Sequence, residues 1–146
     1  FMQLMAFNQD ITAAEQHIRN FQEKCNNYLI SNQIIYNSQD FTCQLLNRVD
    51  DQFNAENSIR FQNLSSGEKQ IVSLFSHLYL DKDRSLFVFI DEPELSLSVD
   101  WQRTLLPDIV NSPNCIGLIA TTHSPFIFDN ELENIVHGIN EFCTRG

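Results

Sequence analysis

The first third of the chain carries two different hydrophobic patterns. Apolar residues recur every three or four positions from Leu4 to Tyr28, which predicts a long amphipathic helix from about residue 3 to about residue 30. Further on, the apolar positions of 34–36 and 41–45 lie on either side of a polar turn at 37–40. This second pattern predicts two short strands that form an antiparallel hairpin.

The segment after the hairpin is polar from Asp50 to Asn57 and becomes apolar again at Ile59 and Phe61. We expect the polar part to be a loop and the apolar part to be one more short strand. None of these residues forms a pattern with obvious chemistry. We therefore interpret 1–57 as a helical and hairpin region and 58–146 as the part that carries the function.

The next segment has the sequence signals of a helix with a well-defined start. Ser65 is followed three residues later by Glu68, the pattern of a capping box, and a helical apolar stripe starts at Ile71. This predicts a helix from about Ser66 to Leu80. The segment is open to two interpretations: it is only a well-capped helix, or its hydroxyls and Gly67 form a phosphate site at a helix N-terminus.

An uninterrupted apolar run from Leu86 to Ile90 ends in two adjacent acids, Asp91 and Glu92, which Pro93 follows. A run of this kind predicts a strand that is buried on both faces of a parallel sheet. Ligands of open α/β sheets bind beyond the carboxyl ends of such strands. The two acids are therefore expected where a ligand would lie.

A second strand is predicted over 116–120, after a helix that Ser98 caps and that Pro107 kinks or ends. A strand, a helix and a strand within this length predict a right-handed crossover with parallel strands. Both strands then end at the same edge of the sheet. We therefore expect His123 to lie near the two acids.

This constellation of acids and a histidine suits phosphate chemistry. One carboxylate can hold a Mg²⁺ ion, its neighbour can polarise a water molecule, and an imidazole can sense the terminal phosphate. Paired acids alone are not specific, because Asp-Glu at a strand end is also common as a helix cap or a solvated edge.

The composition narrows the classes of function. With 146 residues, 42% of them hydrophobic, the chain suits one cored domain or part of one, and it begins at Phe1, as a fragment would. Its formal net charge of −10, from 19 acidic residues against 9 Lys and Arg, argues against a broad surface for nucleic acid or anionic membranes. The cysteines lack C-x-x-C spacing, no apolar run reaches the length of a membrane span, and no signal peptide opens the chain. We expect a cytoplasmic protein with reduced core thiols at Cys25, Cys43, Cys115 and Cys143.

Four motifs together resemble the C-terminal half of an ATP-binding-cassette (ABC) ATPase head. Heads of this kind occur in chromosome-maintenance, DNA-repair and overcoming-lysogenization-defect proteins, and this chain looks most like the ATPases of Septu and retron-associated antiphage defence. The resemblance covers about residues 58–128. Its parts are the signature motif Leu64–Glu68, the Walker B strand Leu86–Glu92, the D-loop Glu94–Ser98 and the switch histidine His123.

The resemblance implies an α/β fold with parallel core strands, the C-terminal lobe of an ABC-type P-loop NTPase, that uses ATP and Mg²⁺. It implies that Asp91 binds the metal, that Glu92 is the base that polarises the attacking water, and that His123 is a catalytic switch residue. Two heads of this family sandwich two nucleotides, so a homodimer is implied, with a nuclease subunit or nucleic acid as further partners and no membrane. Nucleotide contacts are implied for the residues of the signature motif and the D-loop, namely Ser65, Ser66, Gly67, Glu68 and Ser96.

One motif of the family is missing from the chain. A P-loop has the pattern G-x-x-x-x-G-K-[ST], and no pair of the 4 glycines has that spacing. We expect the P-loop half to lie upstream in the parent protein or on another chain. The ATPase is expected to be inactive without that half.

Two other classes of function stay open. A non-hydrolysing scaffold would use ATP or the long helix only for assembly, and ATPase activity of the full-length protein would exclude it. A metal-dependent nuclease would be built on Asp91, Glu92, Glu94 and His123. Nucleic-acid cleavage that needs Asp91 but no ATP would favour the nuclease.

Overall fold

The computed structural model of the protein describes residues 2–49, 52–81 and 83–142. The chain divides into two compact units, and the division falls between Arg84 and Ser85. The first unit contains two helices and an antiparallel sheet, and the second contains one helix and a parallel pair of strands. The combination is the mixed α/β fold that the sequence predicts.

The first unit begins with helix α1 (Met2–Asn26), which confirms the predicted amphipathic helix. The helix is shorter than expected because the chain turns at Tyr28, whose N–H bonds to the carbonyl oxygen of Cys25 at 2.9 Å. Strands β1 (Asn32–Asn37) and β2 (Thr42–Val49) follow and pair antiparallel. The predicted hairpin is therefore confirmed.

Strand β3 (Gln52–Ser58) corrects two predictions. The predicted loop at 50–57 is largely this strand, and the strand predicted near Ile59 and Phe61 is replaced by a short 3-10 turn at Phe61–Asn63. β3 pairs antiparallel with β2 and is an edge strand of this sheet, whose strand order is β1-β2-β3. Because backbone hydrogen bonds do not depend on side-chain type, a polar segment forms a strand when its neighbour offers an unpaired edge. Residues 50 and 51 lie outside the described part of the chain.

Helix α2 (Ser66–Leu80) has the predicted bounds and packs against α1. The Phe75 ring lies 5.5 Å from the Tyr28 ring and 6.0 Å from the Tyr79 ring, measured between centroids. The three rings lie in the core of the first unit. The buried apolar residues of the first unit are Phe21, Cys25, Tyr28, Leu29, Ile34, Tyr36, Leu46, Leu64, Ile71, Phe75, Leu78 and Tyr79.

The second unit is a strand, a helix and a strand. β4 (Leu86–Asp91) and β5 (Cys115–Thr121) pair in parallel, and α3 (Val99–Val110) connects them. This confirms the predicted crossover with parallel strands, and its right-handedness stays a prediction. α3 packs against β5 and against a short 3-10 turn at Pro125–Ile127. The buried apolar residues of this unit are Pro93, Leu97, Leu105, Leu106, Ile109 and Ile127.

β4 is not buried on both faces, which corrects the prediction drawn from its apolar run. Phe87 and Phe89 are 51% and 72% exposed, and their rings lie 5.0 Å apart. Ile119 is the register partner of Phe89 and is 52% exposed on the same face. An apolar run predicts that a strand is covered but not what covers it, and the described residues leave this face open.

Pro107 lies inside α3, and the helix continues past it to Val110. A proline lacks the N–H that would bond to the carbonyl oxygen four residues earlier, which here belongs to Arg103. The side-chain amide of Asn130 donates to that carbonyl oxygen at 2.9 Å. The prediction that Pro107 could end the helix is wrong, because the Asn130 side chain replaces the lost hydrogen bond.

Cys25, Cys43 and Cys115 are free thiols, and Cys143 lies outside the described residues. Cys25 is buried, and burial, with a contribution from Cys43, raises its pKa to about 12. The prediction of core thiols is wrong for Cys43, which is exposed because it follows the hairpin turn at the start of β2. Among the described helices, none combines the length and the hydropathy of a membrane span.

Candidate functional site

The carboxyl ends of β4 and β5 form one edge of the parallel sheet. Asp91 and Thr121 are register partners there, and the Thr121 hydroxyl donates a hydrogen bond to the Asp91 carboxylate. The N–H of Glu92 donates to the carbonyl oxygen of Thr121 at 2.9 Å. The two acids therefore lie beside the segment that leads to His123, which is the arrangement that the crossover predicts.

The backbone after β4 is unusual at two of the predicted site residues. Glu92 has a φ angle of 49° and Ser96 one of 65°, both in the left-handed region that residues other than glycine rarely adopt. A residue before a proline is normally extended, so the conformation of Glu92 before Pro93 is also unexpected on this ground. Backbone strain of about 1–3 kcal/mol per residue is typically found at functional sites. Glu92 and Ser96 are thus candidates on geometry as well as on sequence.

Glu94 connects the loop after β4 with the loop after β5. One of its carboxylate oxygens accepts from the Thr122 hydroxyl at 2.6 Å, and the other accepts from the His123 N–H at 3.0 Å. The Thr122 oxygen in turn accepts from the Ser124 N–H at 3.0 Å. Burial alone would raise the pKa of Glu94, but the hydrogen bonds from Thr122 and from the backbone lower it below its ordinary value. The carboxylate is therefore charged at neutral pH.

His123 combines an anchored backbone with an exposed side chain. Its ring forms no hydrogen bond or ion pair with the described residues. The next residue, Ser124, donates its hydroxyl to the side-chain oxygen of Gln102 on α3 at 2.6 Å. The loop is thus held on one side by Glu94 and on the other by α3, and the imidazole between them is accessible to a ligand.

In the first unit, the predicted signature residues form the N-terminus of α2. The Ser65 hydroxyl accepts from the Glu68 N–H at 3.3 Å, and the Glu68 carboxylate accepts from the Ser65 N–H at 2.9 Å. This confirms the predicted capping box. Ser66 is exposed and Gly67 is buried in the first turn. A phosphate contact at this helix N-terminus stays a prediction.

Glu68 is a buried residue whose two carboxylate oxygens both accept hydrogen bonds. Besides Ser65, its donor is the side-chain amide of Asn32, at 2.6 Å. Asn32 accepts from the amide of Asn47 at 2.9 Å, so the network extends into the hairpin. Burial alone would raise the pKa of Glu68, but hydrogen bonds from Ser65 and Asn32 lower it. The side chain caps and anchors α2, and its predicted contact with a nucleotide stays a prediction.

Several residues that bond to the predicted site residues have no predicted role of their own. Thr121 and Thr122 precede His123, and an acid in the facing loop, Glu94, is the signal that points to hydroxyl donors there. Asn32 and Asn47 give no such signal, because asparagines in a hairpin pattern are usually exposed.

The oxygen atoms at Asp91 suit a hard divalent cation. Asp91 is exposed, and the hydroxyl of Thr121 lies beside its carboxylate. Mg²⁺ in nucleotide sites typically binds one or two carboxylates together with phosphate oxygens and waters. Across 2–49, 52–81 and 83–142, no group of three or more His, Cys, Asp or Glu residues is arranged to hold a metal ion. The single carboxylate fits a metal ion that binds together with a nucleotide.

The parallel crossover and the acid pair at its edge lie within a segment that matches a known protein family. The chain belongs to the family described as "AAA domain, putative AbiEii toxin, Type IV TA system", which matches residues 8–129. The match includes the N-terminus of α2, the acid pair at the end of β4 and the His123 loop.

Two known proteins show the same relationship. "Retron Vc95 probable ATPase" of Vibrio cholerae serotype O1 biovar El Tor is 32% identical over 94 residues, and the match covers 57% of this chain and 18% of that protein. The crystal structure of an SmcHead bound to the C-winged helix domain of ScpA matches with a TM-score of 0.51 at 18% identity, over 78% of this chain and 36% of that chain. The predicted resemblance to an ABC-like ATPase, related to a retron ATPase, is confirmed. The chain spans less than half the length of either protein.

Proposed function

We propose that this chain is the C-terminal lobe of an ABC-type ATPase head that binds ATP with Mg²⁺ and hydrolyses it. The observation that carries the proposal is the common edge of β4 and β5, where Asp91, Glu92 and the His123 loop meet. Two adjacent acids could also be only the solvated end of a strand. That alternative does not explain why Glu92 has a left-handed backbone or why the Glu94 carboxylate anchors the His123 loop. Membership of an ATPase family supports the same conclusion.

In this proposal each residue at the edge has its own role. Asp91 holds Mg²⁺, which neutralises charge on the phosphate oxygens. Glu92 orients the attacking water and accepts its proton. His123 contacts the terminal phosphate through its exposed ring and stabilises the charge that develops there.

The signature segment serves a second nucleotide in a homodimer. Ser65, Ser66 and Gly67 at the N-terminus of α2 contact the ATP that the opposite head holds. A nucleotide contact of Ser96 in the D-loop is a separate part of the proposal. The N–H groups and the dipole of a helix N-terminus favour phosphate, which supports this role. Glu68 stabilises this surface as a buried residue, because its carboxylate already accepts hydrogen bonds from Ser65 and Asn32.

The P-loop comes from another part of the head. The sequence contains no P-loop pattern, and the chain spans 36% of the SMC head chain. We expect the P-loop half to cover the open sheet face at Phe87, Phe89 and Ile119, because a cluster of exposed apolar side chains commonly marks an interface. Without that half, this chain has no ATPase activity.

Hydrolysis acts as a conformational switch for a partner, and a nuclease subunit is the first candidate. The similarity to a retron ATPase supports a role in antiphage defence. The net charge of −10 favours a protein partner over a broad nucleic-acid surface.

The proposal is tested by measuring ATP turnover and nucleotide affinity of the full-length protein with and without Mg²⁺. We expect turnover that requires Mg²⁺, and we expect His123→Ala to lower kcat about 10²-fold or more with little change in affinity. His137→Ala is the matched control, because His137 is an exposed histidine whose ring contacts Glu141 at 3.0 Å. It should leave both quantities at the wild-type value.

Three results would contradict the proposal. Equal losses of kcat and affinity in His123→Ala would make His123 a structural residue. ATP binding without turnover in the wild type would make the protein a scaffold. Nucleic-acid cleavage that needs no ATP and is lost in Asp91→Asn would make it a nuclease.

A further inference from the structure

Glu94 belongs to the loop after β4, but its side chain bonds to the loop after β5. Its two carboxylate oxygens accept from the Thr122 hydroxyl and the His123 N–H, at 2.6 and 3.0 Å. The two donors belong to the peptide segment that leads into His123. Glu94 therefore holds the backbone from which the imidazole projects.

The backbone that carries Glu94 is itself held in place. The Leu97 N–H bonds to the Glu94 carbonyl oxygen at 3.1 Å, and the Leu95 N–H bonds to the Glu92 carbonyl oxygen at 3.2 Å. Pro93, directly before Glu94, is fully buried. Two consecutive turns and a buried proline thus fix the backbone on which Glu94 stands.

The hydrogen bonds of Glu94 order the loop after β5 as far as Ser124. The Thr122 hydroxyl donates to Glu94 and accepts from the Ser124 N–H. One carboxylate therefore holds three consecutive residues, two of them directly and Ser124 through the Thr122 hydroxyl. Loss of the carboxylate would leave the Thr122 hydroxyl and the His123 N–H without their acceptor. The loop would keep its attachment to Gln102 through Ser124 but lose the two bonds that hold Thr122 and His123.

We propose that Glu94 is a positioning residue that sets the place of His123 for ATP hydrolysis and does not itself touch the nucleotide. This inference rests on the proposed function of the site. A displacement of about 1 Å at a positioned group can cost roughly 10²-fold in rate. Loss of Glu94 should therefore lower kcat and leave nucleotide affinity nearly unchanged, because the P-loop half provides the main phosphate contacts.

The test uses the full-length protein and the variants Glu94→Ala, His123→Ala and their combination. We expect Glu94→Ala to lower kcat about 10- to 100-fold with less than about a 3-fold change in KM for ATP. In the His123→Ala background the same change should lower kcat by less than about 2-fold, because residues that act through one another are not additive. Glu131→Gln is the control, as an exposed acid of the same unit.

Thr122→Val removes one of the two donors and keeps the side-chain shape, so it tests the same link if Glu94→Ala does not fold. We expect it to lower kcat about 3- to 10-fold, again without effect in the His123→Ala background. Wild-type kcat in Glu94→Ala or Thr122→Val, a fall in affinity equal to the fall in kcat, or full additivity with His123→Ala would overturn the inference.

Failure of the proposed function is recognised separately, as absence of ATP turnover in the wild type. Hydrogen exchange of the segment 121–128 then still tests the positioning. Glu94→Ala should raise exchange at Thr122 to Ser124 at least about 10-fold, since the loss of anchoring bonds makes local opening easier, and Glu131→Gln should not. Unchanged exchange in Glu94→Ala would overturn the inference.

Discussion

The side-chain amide of Asn32 donates a hydrogen bond of 2.6 Å to the carboxylate of Glu68, 36 residues further along the chain. This bond joins the start of the hairpin to the first turn of α2, where the proposed signature surface lies. The other carboxylate oxygen of Glu68 accepts from Ser65 and completes the cap of the helix. The surface is therefore built on a buried polar network and not on the helix alone.

Removal of the Asn32 side chain should destabilise α2. Asn32→Ala leaves a buried carboxylate with one donor fewer, and hydrogen bonds to charged groups typically contribute about 1.5–3 kcal/mol. Hydrogen exchange of α2 in increasing urea measures this loss. Asn27→Ala, at an exposed position of the same unit, should stay within about 0.5 kcal/mol of the wild type. Equal effects of the two variants would show that the bond does not stabilise the helix.

The lowered pKa of Glu68 predicts a loss of stability in acid. Its folded-state pKa lies below the ordinary value, so the charged form stabilises the fold above the unfolded-state pKa of about 4.3. That contribution disappears as the pH falls from there through the folded-state pKa. Hydrogen exchange of α2 between about pH 5 and pH 3 should show the decline. Glu68→Gln should flatten it, whereas the same change at exposed Glu23 should not; identical pH profiles would contradict the assignment.

Ser65 allows the cap to be separated from the proposed contact with a second head. Ser65→Ala removes the cap, typically worth about 1 kcal/mol, and adds no bulk. Ser65→Arg removes the cap and also fills the space for a phosphate. By light scattering with ATP, we expect the alanine variant of the full-length protein to dimerise more weakly than the wild type, because it lacks one contact, and the arginine variant to remain a monomer that still binds ATP. Dimerisation of both variants would contradict a signature role for Ser65.

The exposed aromatic residues of β4 should behave as core residues in the full-length protein. If the P-loop half covers Phe89, then Phe89→Ser should lower the free energy of unfolding by about 3–5 kcal/mol, the typical cost of truncating a buried phenylalanine. Leu95→Ser, at a loop position that is 57% exposed, is the control. A change within about 0.5 kcal/mol for both would show that the face is solvent-exposed in the whole protein.

The elements that the sequence predicts well are those whose signals are local. The capping box at Ser65 and Glu68 defines α2 to the residue, and the apolar run before Asp91 defines β4. The local sequence does not predict β3, because this strand forms by pairing with β2 and its side chains are mostly polar. The continuation of α3 past Pro107 likewise depends on Asn130, which lies outside the helix.

The candidate site also has one part that the sequence predicts and one part that depends on distant residues. Crossover topology predicts that Asp91 and the His123 segment meet at one edge, because it depends only on the order of strand, helix and strand. The left-handed backbone of Glu92 and the bonds of Glu94 could not be predicted, since no glycine marks the turn and the donors lie about 30 residues away.

Asp91 and Glu92, although adjacent, have different proposed roles, and amide substitutions separate them. Asp91→Asn should weaken binding of Mg²⁺ and ATP. Glu92→Gln should leave nucleotide and metal bound and remove only the base, a loss of roughly 10²–10⁴-fold in rate. If both acids only end the strand, each change should instead cost a similar, modest amount of stability, about 0.5–2 kcal/mol.

The most direct measurement is ATP turnover and dimer fraction of the full-length Glu92→Gln protein in Mg²⁺, beside Asp91→Asn and the wild type. We expect Glu92→Gln to bind ATP, hardly hydrolyse it and accumulate as the ATP-bound dimer, while Asp91→Asn fails to form that dimer. Wild-type turnover in Glu92→Gln, or no accumulation of its ATP-bound dimer, would contradict the assignment of Glu92 as the catalytic base.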